Sequence, residues 1–263
     1  MSVTVHLDER GVLSLTLDRP AARNAIDDAM TAVLVAELAG AATDDAVRVV
    51  LLQGAGEDFC AGADIVARNA SDGSRPRTGS IQRRLPEAAH RLVSLVATVQ
   101  VPVVCKVRGW AAGLGFQLAL AADLTVCAAD SRFWEPFVRR GFTPDSGATW
   151  LLPRRVGEVR ARELLLLGRE LSGTDAAAWG AVHASVPPAE LDDAVAGIVE
   201  RLAAGPTTAL GLTKWLLHEG AGSTLGDQLR REALALELSS RSEDFREGMA
   251  AFRERRDPEF GGR

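Results

Sequence analysis

The chain has 263 residues, of which 47% are hydrophobic and 25% charged, a composition typical of globular proteins and not of disordered ones. Its formal net charge of −5 argues against binding to duplex nucleic acid, which normally goes with a basic surplus. Three cysteines cannot all pair within one chain, which argues against a disulfide scaffold, and the cysteines and four histidines are too dispersed for a zinc site. The start has no signal-peptide pattern, and no apolar stretch approaches the ~20 residues of a membrane span, so we expect a cytoplasmic protein without metal or membrane partner.

The first predicted elements are a hairpin, a helix and a buried strand. Val3–Leu7 and Leu13–Leu17 alternate apolar and polar residues on either side of Gly11, as the strands of a hairpin do. Apolar residues at helical spacing predict a helix over Asp27–Leu38. The continuous run Val47–Leu52 is typical of a parallel strand buried on both faces.

The middle of the chain continues in the same alternating manner. A polar stretch predicts a surface loop over Ala70–Ser80, and an amphipathic pattern predicts one long helix over Ile81–Val99. Val101–Val107 and Leu124–Ala128 predict two more buried strands, with the nearly all-apolar segment Gly113–Ala122 between them. Strand, buried helix and strand make a βαβ unit, which predicts the α/β class.

The remainder of the chain is predicted to be mostly helical. Helical spacing recurs over Arg160–Leu167, Leu191–Ala203, Thr207–Glu219 and Leu225–Ser239. We therefore divide the chain into an α/β core over residues 1–200 and a helical C-terminal region over residues 201–263.

Three glycine-rich segments carry residues that could do chemistry. Small residues in Gly54–Ile65 would let a ligand approach backbone N–H groups. Gly109–Gly115 opens the buried helix, whose first N–H groups suit an oxyanion. In Gly141–Pro153, Asp145 follows Pro144 and could act as a general base. Each segment alone also fits a structural role: a tight turn, close helix packing, or an N-cap at Asp145.

Together and in this order, the three segments resemble the crotonase family, also called enoyl-CoA hydratase/isomerase. The resemblance covers nearly the whole chain, from Asp18–Ala25 to Arg246–Phe252 and Pro258–Phe260. It implies an α/β fold of the crotonase type, a spiral of repeated ββα units followed by a helical C-terminal trimerisation region. It also implies that the ligand is an acyl-CoA thioester, with coenzyme A as part of the substrate and no separate cofactor.

The resemblance also implies roles for individual residues. The family polarises the thioester carbonyl with two backbone N–H groups, and by position these fall on Ala61 and Leu114. Arg23 matches a residue that touches the phosphates or pantetheine of coenzyme A. The adenine pocket is implied to be lined by Ala61, Ala63, Asp64 and Ile65. These roles agree with the chemistry, because an enolate beside a thioester needs preorganised donors more than a metal.

The two glutamates that hydratases of the family use are both replaced. The matching positions hold Gln117, which cannot act as a base, and Phe137, which makes that wall of the acyl pocket apolar. Glu135 lies two residues before Phe137 and would return to the same face of an extended segment. A hydratase with atypical acid and base groups, such as Glu135, is therefore an alternative.

Asp145 favours an isomerase. Its neighbourhood Pro144–Arg154 resembles the motif of the branch that isomerises ring-epoxidised phenylacetyl-CoA. Aryl-CoA dehalogenases use the same aspartate position as a nucleophile, with a histidine at the position of His90, but they need tryptophan where Phe137 stands. We expect His90 to line the acyl pocket, with a surface histidine as the alternative. A non-catalytic acyl-CoA-binding protein is the remaining alternative to an acyl-CoA isomerase.

Family members usually assemble as trimers or as hexamers built from two trimers. The resemblance thus implies a homotrimer or hexamer, with C-terminal helices covering a neighbour's pocket. We expect four apolar positions of this region to serve as interface as well as core: Leu225, Leu229, Leu234 and Leu238.

Overall fold

A computed structural model describes residues 2–64 and 77–263 of the chain. The described strands are β1 (Val3–Leu7), β2 (Val12–Leu17), β3 (Val49–Gly54), β4 (Val103–Val107), β5 (Trp110–Ala112), β6 (Leu124–Ala128), β7 (Arg132–Trp134), β8 (Glu170–Ser172) and β9 (Ala184–Val186). The described helices are α1 (Asp28–Ala41), α2 (Ser80–Arg84), α3 (Ala89–Thr98), α4 (Leu114–Ala121), α5 (Ala148–Val156), α6 (Glu158–Leu167), α7 (Gly173–Ala178), α8 (Leu191–Ala203), α9 (Thr207–Gly220), α10 (Leu225–Ser239) and α11 (Glu243–Glu254). The predicted loop over Ala70–Ser80 lies mostly outside the described residues.

The larger sheet has six strands in the order β1-β2-β3-β4-β6-β9. β1 and β2 pair antiparallel, which confirms the predicted hairpin, and the other neighbours pair parallel. The neighbouring residues Val49 and Val50 are both fully buried although they belong to different hydrophobic layers, one on each face of the sheet. Cover on both faces explains the continuous apolar run and confirms the α/β class.

The smaller sheet consists of β5, β7 and β8. β5 pairs parallel with β7, and β7 pairs antiparallel with β8. A single bridge joins Cys60 to Ala111, so the segment after β3 lies against β5. This contact brings the first two glycine-rich segments together.

The predicted long helix over Ile81–Val99 is wrong in one respect, because it is broken near its start. The short helix α2 is followed by a 3-10 turn over Leu85–Glu87, and α3 begins only at Ala89. Pro86 explains the break, since proline has no N–H for the helical hydrogen bond and its ring clashes with the preceding turn.

The C-terminal helices leave many apolar side chains exposed. Leu225 is 75% exposed in the isolated chain, and Leu229, Leu234 and Leu238 are all more than half exposed. These leucines are therefore not part of a core, so the prediction that they serve as core residues is wrong. The prediction that they form an interface remains untested. The predicted domain boundary at residue 200 falls inside α8, which ends at Ala203. No helix of the described residues is long and apolar enough to cross a membrane.

Lys214 ties α9 to the core. Its ammonium group donates to the carbonyl of Val96 at 3.0 Å and of Val101 at 3.2 Å, and it lies 2.8 Å from the carboxylate of Asp123. Only 6% of its side chain is exposed. Burial lowers the pKa of Lys214, and the charge of Asp123 opposes that shift.

We predict that Lys214→Met lowers the free energy of unfolding by about 2 kcal/mol, because two carbonyls and a carboxylate lose their donor. The matched control is Lys106→Met. Lys106 pairs with the largely exposed Asp192, so its loss should change stability by no more than about 0.5 kcal/mol. Urea denaturation measures both, and equal losses would contradict the anchoring role of Lys214.

Candidate functional site

Asn24 locks two turns together at the edge of the larger sheet. It is fully buried, and its Oδ1 accepts a hydrogen bond from the backbone N–H of Arg19 at 2.8 Å. Its Nδ2 donates to the carbonyls of Ala55 and Asp58 at 2.9 and 2.7 Å. The turn that contains Arg23 is thereby fixed against the glycine-rich segment that follows β3.

The segment from Cys60 to Asp64 is held by backbone hydrogen bonds from both sides. Cys60 donates to the carbonyl of Trp110 at 2.8 Å on one side. On the other side, Asp64 donates to the carbonyl of Ile26 and Ala61 donates to the carbonyl of Arg23, both at 2.9 Å. The N–H of Ala61 is therefore engaged within the fold, which contradicts its predicted role as a free donor.

Two other N–H groups near this contact have no acceptor in the described part of the chain. Among residues 2–64 and 77–263, neither the N–H of Ala63 nor that of Leu114 donates to any group. Leu114 is the first residue of α4, where helical N–H groups lack intrahelical partners. Gly62 connects the two positions, because a Cβ on it would lie 3.7 Å from the nitrogen of Leu114. The geometry thus offers Ala63 and Leu114 as the pair of free donors.

Gly62 is required for this close approach. Its φ of +102° lies in the region that favours glycine. A Cβ there would also lie only 2.8 Å from the carbonyl oxygen of Ala112. Any side chain would push the donor segment away from β5.

Asp145 lines a cavity of about 600 Å³. The other lining residues are Gly79, Ile81, Gln82, Leu85, His90, Thr143, Pro144, Ser146, Gly147 and Thr149. The carboxylate of Asp145 accepts no hydrogen bond and forms no ion pair with any part of the chain that the structure describes. The N-cap of α5 is Gly147, without a side-chain cap, so Asp145 does not have the alternative capping role.

The turn after Asp145 is strained. Ser146 is a buried residue with a φ of +52°, which a side chain disfavours, and Gly147 follows with a φ of +89°. Strain of this kind persists where the surrounding structure over-determines a conformation, often at functional sites. Here it fixes the direction from which the chain presents Asp145 to the cavity.

His90 lines the same cavity as Asp145, near the start of α3. Its Nε2 is buried and has no hydrogen-bond partner among the described residues. The structure therefore brings these two predicted residues to one cavity.

Phe137 forms an apolar wall beside the turn that starts α4. A Cβ on Gly113 would lie 3.9 Å from the tip of its ring. Phe142 packs edge-on against this ring with the centroids 5.5 Å apart. Phe137 is 5% exposed, and it is not among the residues that line the cavity with Asp145 and His90.

A buried carboxyl lies next to this wall, at a position that sequence reasoning left open. Nε2 of Gln117 donates to both oxygens of Glu135, at 2.8 and 2.9 Å. Gln117 is fully buried and Glu135 is 1% exposed. Burial raises the pKa of Glu135 well above its usual range, the hydrogen bond from Gln117 opposes the shift, and the charge of Asp145 adds to it.

The residues predicted to hold coenzyme A differ in their surroundings. Arg23 has a side chain that is 63% exposed and lies 3.7 Å from the carboxylate of Asp58, so it remains accessible to an anion. Asp64 pairs with Arg19 at 3.0 Å and helps to hold the turn. Ala63 bridges to Ile26 beside it, while Ile65 lies outside the described residues.

Sequence reasoning missed the lock at Asn24, the donor at Ala63 and the pairing of Gln117 with Glu135. The glycine at position 62 was a usable signal, because close backbone approach there points to its neighbours. The pairing of residues 117 and 135 had no signal in a single sequence. No cluster of three or more His, Cys, Asp or Glu side chains that could hold a metal lies within the described ranges, and all three cysteines are free and buried.

Residues 8–263 match the family described as enoyl-CoA hydratase/isomerase. The chain is 40% identical over 256 residues to the 1,2-epoxyphenylacetyl-CoA isomerase of Escherichia coli strain K12, with 97% of each chain covered. It is 32% identical over 263 residues to the 2,3-dehydroadipyl-CoA hydratase of the same strain, with 100% of each chain covered.

Solved structures of enoyl-CoA hydratases are also similar to this chain. The crystal structure of an enoyl-CoA hydratase from Bacillus anthracis matches with a TM-score of 0.92 at 29% identity and covers 100% of both chains. That of an enoyl-CoA hydratase from Mycobacterium smegmatis matches with a TM-score of 0.91 at 30% identity and covers 99% of both. The crotonase fold expected from the sequence is therefore confirmed, and the chain belongs to the enoyl-CoA hydratase/isomerase family of enzymes.

Proposed function

We propose that this enzyme isomerises the acyl group of a coenzyme A thioester by moving a proton from one carbon to another. The observation that carries the proposal is that, among the described residues, neither the carboxylate of Asp145 nor Nε2 of His90 has a partner, although both residues line one cavity. A base needs a free lone pair and access to the substrate, and Asp145 has both. The similarity to a relative named 1,2-epoxyphenylacetyl-CoA isomerase supports isomerisation of an acyl-CoA, without specifying the proton shift.

The N–H groups of Ala63 and Leu114 are proposed to hold the thioester oxygen. Removal of a proton next to the thioester places negative charge on that oxygen, and fixed N–H donors stabilise this charge without reorganisation. Leu114 contributes the partial positive charge of a helix N-terminus as well. Ala63 replaces Ala61 in this role, because the N–H of Ala61 is bonded to Arg23.

The remaining predicted residues are proposed to bind the two ends of the substrate. Arg23 is exposed enough to meet the phosphates of coenzyme A, and the turn at Ala63 and Asp64 lies next to it through the Arg23–Ala61 hydrogen bond. At the other end, Phe137 and His90 would contact the acyl group. The apolar ring of Phe137 favours an acyl group with a hydrocarbon chain or ring at that point.

Hydration of a 2-enoyl-CoA is the second candidate function. It is favoured by Glu135, which gives the site a second carboxyl within electrostatic reach of Asp145. The apolar wall at Phe137 opposes it, because hydration needs a positioned water molecule. Turnover of crotonyl-CoA by the wild-type enzyme, without isomerisation of any 3-enoyl-CoA, would favour hydration.

We predict that Asp145→Asn lowers kcat for isomerisation of 3-hexenoyl-CoA by about 100-fold or more, since the amide cannot accept the proton. The conjugated product can be followed by its ultraviolet absorbance. Asp193→Asn on the exposed face of α8 is the matched control and should retain wild-type activity. Wild-type turnover by Asp145→Asn would rule out Asp145 as the base.

Gly62→Ala should lower kcat by about 100-fold, because the added Cβ must move the Ala63 donor away from its place. Gly40→Ala in α1 is its control, since a Cβ at Gly40 meets no atom within 4 Å and should leave kcat unchanged. Steady-state kinetics with thermal unfolding of both variants separates a loss of catalysis from a loss of folding. A folded Gly62→Ala enzyme with wild-type kcat would disprove the assigned donor pair.

A homotrimer or hexamer is proposed from the resemblance to the family, and the large exposed leucines of α10 support an interface on this helix. Sedimentation equilibrium should give a mass three or six times that of the 27.9 kDa chain. Leu229→Glu and Leu236→Glu together should lower the mass, whereas Glu232→Gln on the same helix should not. A monomeric wild-type chain would contradict the proposal.

A further inference from the structure

The buried pair of Gln117 and Glu135 is the one polar cluster near the donor turn, among the described residues, that the proposed mechanism does not use. Gln117 is the only hydrogen-bond partner of the Glu135 carboxyl in the described part of the chain. Oε1 of Gln117 is itself buried without a partner. Buried polar groups in native proteins are normally satisfied, so an incomplete pair of this kind calls for a functional explanation.

The pair is attached to the donor turn from two directions. Gln117 lies on α4, one turn after Leu114, and its N–H donates to the carbonyl of Gly113 at 3.0 Å. The residue before Glu135 accepts a hydrogen bond from Gly113, since the carbonyl of Trp134 lies 2.9 Å from that N–H. Glu135 is thus fixed relative to the N–H group that is proposed to hold the thioester oxygen.

Glu135 and Asp145 are two carboxyls in contrasting environments. Glu135 is almost completely buried, and burial favours its protonated form. Asp145 is half-buried and lines the cavity, and its carboxylate has no hydrogen-bond partner among the described residues. The charge of Asp145 acts on Glu135, so both carboxyls lie within electrostatic reach of one another. Two carboxyls in different environments commonly serve as the acid and the base of one reaction.

We propose that Glu135 is the acid that returns a proton to the substrate after Asp145 has removed one. This inference rests on the proposed isomerase function and deepens it, because it assigns the two halves of the proton transfer to two residues. Gln117 is a positioning residue that holds the Glu135 carboxyl through both oxygens.

For a 3-enoyl-CoA the steps balance as follows. A C–H bond at C2 breaks, its proton goes to Asp145, and the electron pair moves onto the thioester oxygen. The enolate then collapses as a C–H bond forms at C4 with the proton from the O–H of Glu135, and the double bond shifts to C2–C3. Asp145 is left neutral and Glu135 ionised, and exchange of a proton through solvent resets both. No oxidant or cofactor takes part.

The test follows a label through a single turnover. The substrate is 3-hexenoyl-CoA that carries two deuterium atoms at C2, mixed in ordinary water with excess enzyme. If Glu135 supplies the second proton, the wild-type product contains protium at C4. In Glu135→Gln only Asp145 can donate to C4, so the residual product should contain deuterium that Asp145 has transferred from C2 to C4. Mass spectrometry with proton NMR reads the position of the label.

Steady-state kinetics provide the second readout. Glu135→Gln preserves the shape of the side chain, and its Oε1 can still accept from Gln117, but its amide cannot deliver a proton to the substrate. It should lower kcat by about 100-fold with KM within about threefold. Glu163→Gln on α6, which removes a partly exposed carboxylate, is the matched control and should leave kcat unchanged. If Glu135→Gln fails to fold, the wild-type experiment can still overturn the inference, because transfer of deuterium from C2 to C4 would show that Asp145 supplies the second proton.

The outcomes separate this inference from the function on which it rests. Transfer of deuterium from C2 to C4 by the wild-type enzyme overturns the role of Glu135. Wild-type kcat in a folded Glu135→Gln enzyme overturns it as well. Neither outcome contradicts the proposed isomerase function. Absence of isomerisation by the wild-type enzyme overturns the proposed function and this inference together.

Discussion

The site depends on the close approach of two backbone segments that only glycine allows. At Gly62 a Cβ would lie 2.8 Å from the carbonyl oxygen of Ala112, and at Gly115 it would lie 2.5 Å from the carbonyl oxygen of Cys60. Cys60 stands between the two, bonded to Trp110 and Ala112 through its backbone, and its Sγ accepts a hydrogen bond from the N–H of Gly62 at 3.3 Å. The glycines therefore set the separation of the two free donors, and the rest of the fold holds this contact in place.

The chemical role of each carboxyl near the site is determined by its surroundings, not by how many carboxyls are present. Three acidic side chains lie near the site with different surroundings. Asp64 is paired with Arg19, Glu135 is buried against Gln117, and Asp145 lines a cavity without a partner in the described part of the chain. An ion-paired carboxylate holds structure, a buried carboxyl keeps its proton, and a free carboxylate can accept one. A catalogue of acidic residues would not distinguish these roles, because each follows from contacts made far along the chain.

Much of the framework could be predicted from the sequence, because it depends on local pattern. The alternating hairpin around Gly11 and the buried run at Val49 and Val50 both follow from which faces of a strand are covered. The break at Pro86 was equally local and could have been predicted. Two features of the site could not be predicted from the sequence, because they depend on which distant segments come into contact. The N–H of Ala61 is used by Arg23, and the carboxyl of Glu135 meets the amide of Gln117 across 18 residues of chain.

The apolar wall bears most directly on which reaction the site favours. Hydration requires a water molecule held beside the double bond by polar groups, and the ring of Phe137 offers no such group next to the donor turn. A proton shift requires no water at that point, only a base on one side of the enolate and an acid within reach of its far end. Glu135, two residues before Phe137, is only 1% exposed, and burial raises its pKa. An aromatic ring at position 137 therefore disfavours hydration, whereas a proton shift between Asp145 and the proposed acid Glu135 needs no water at that point.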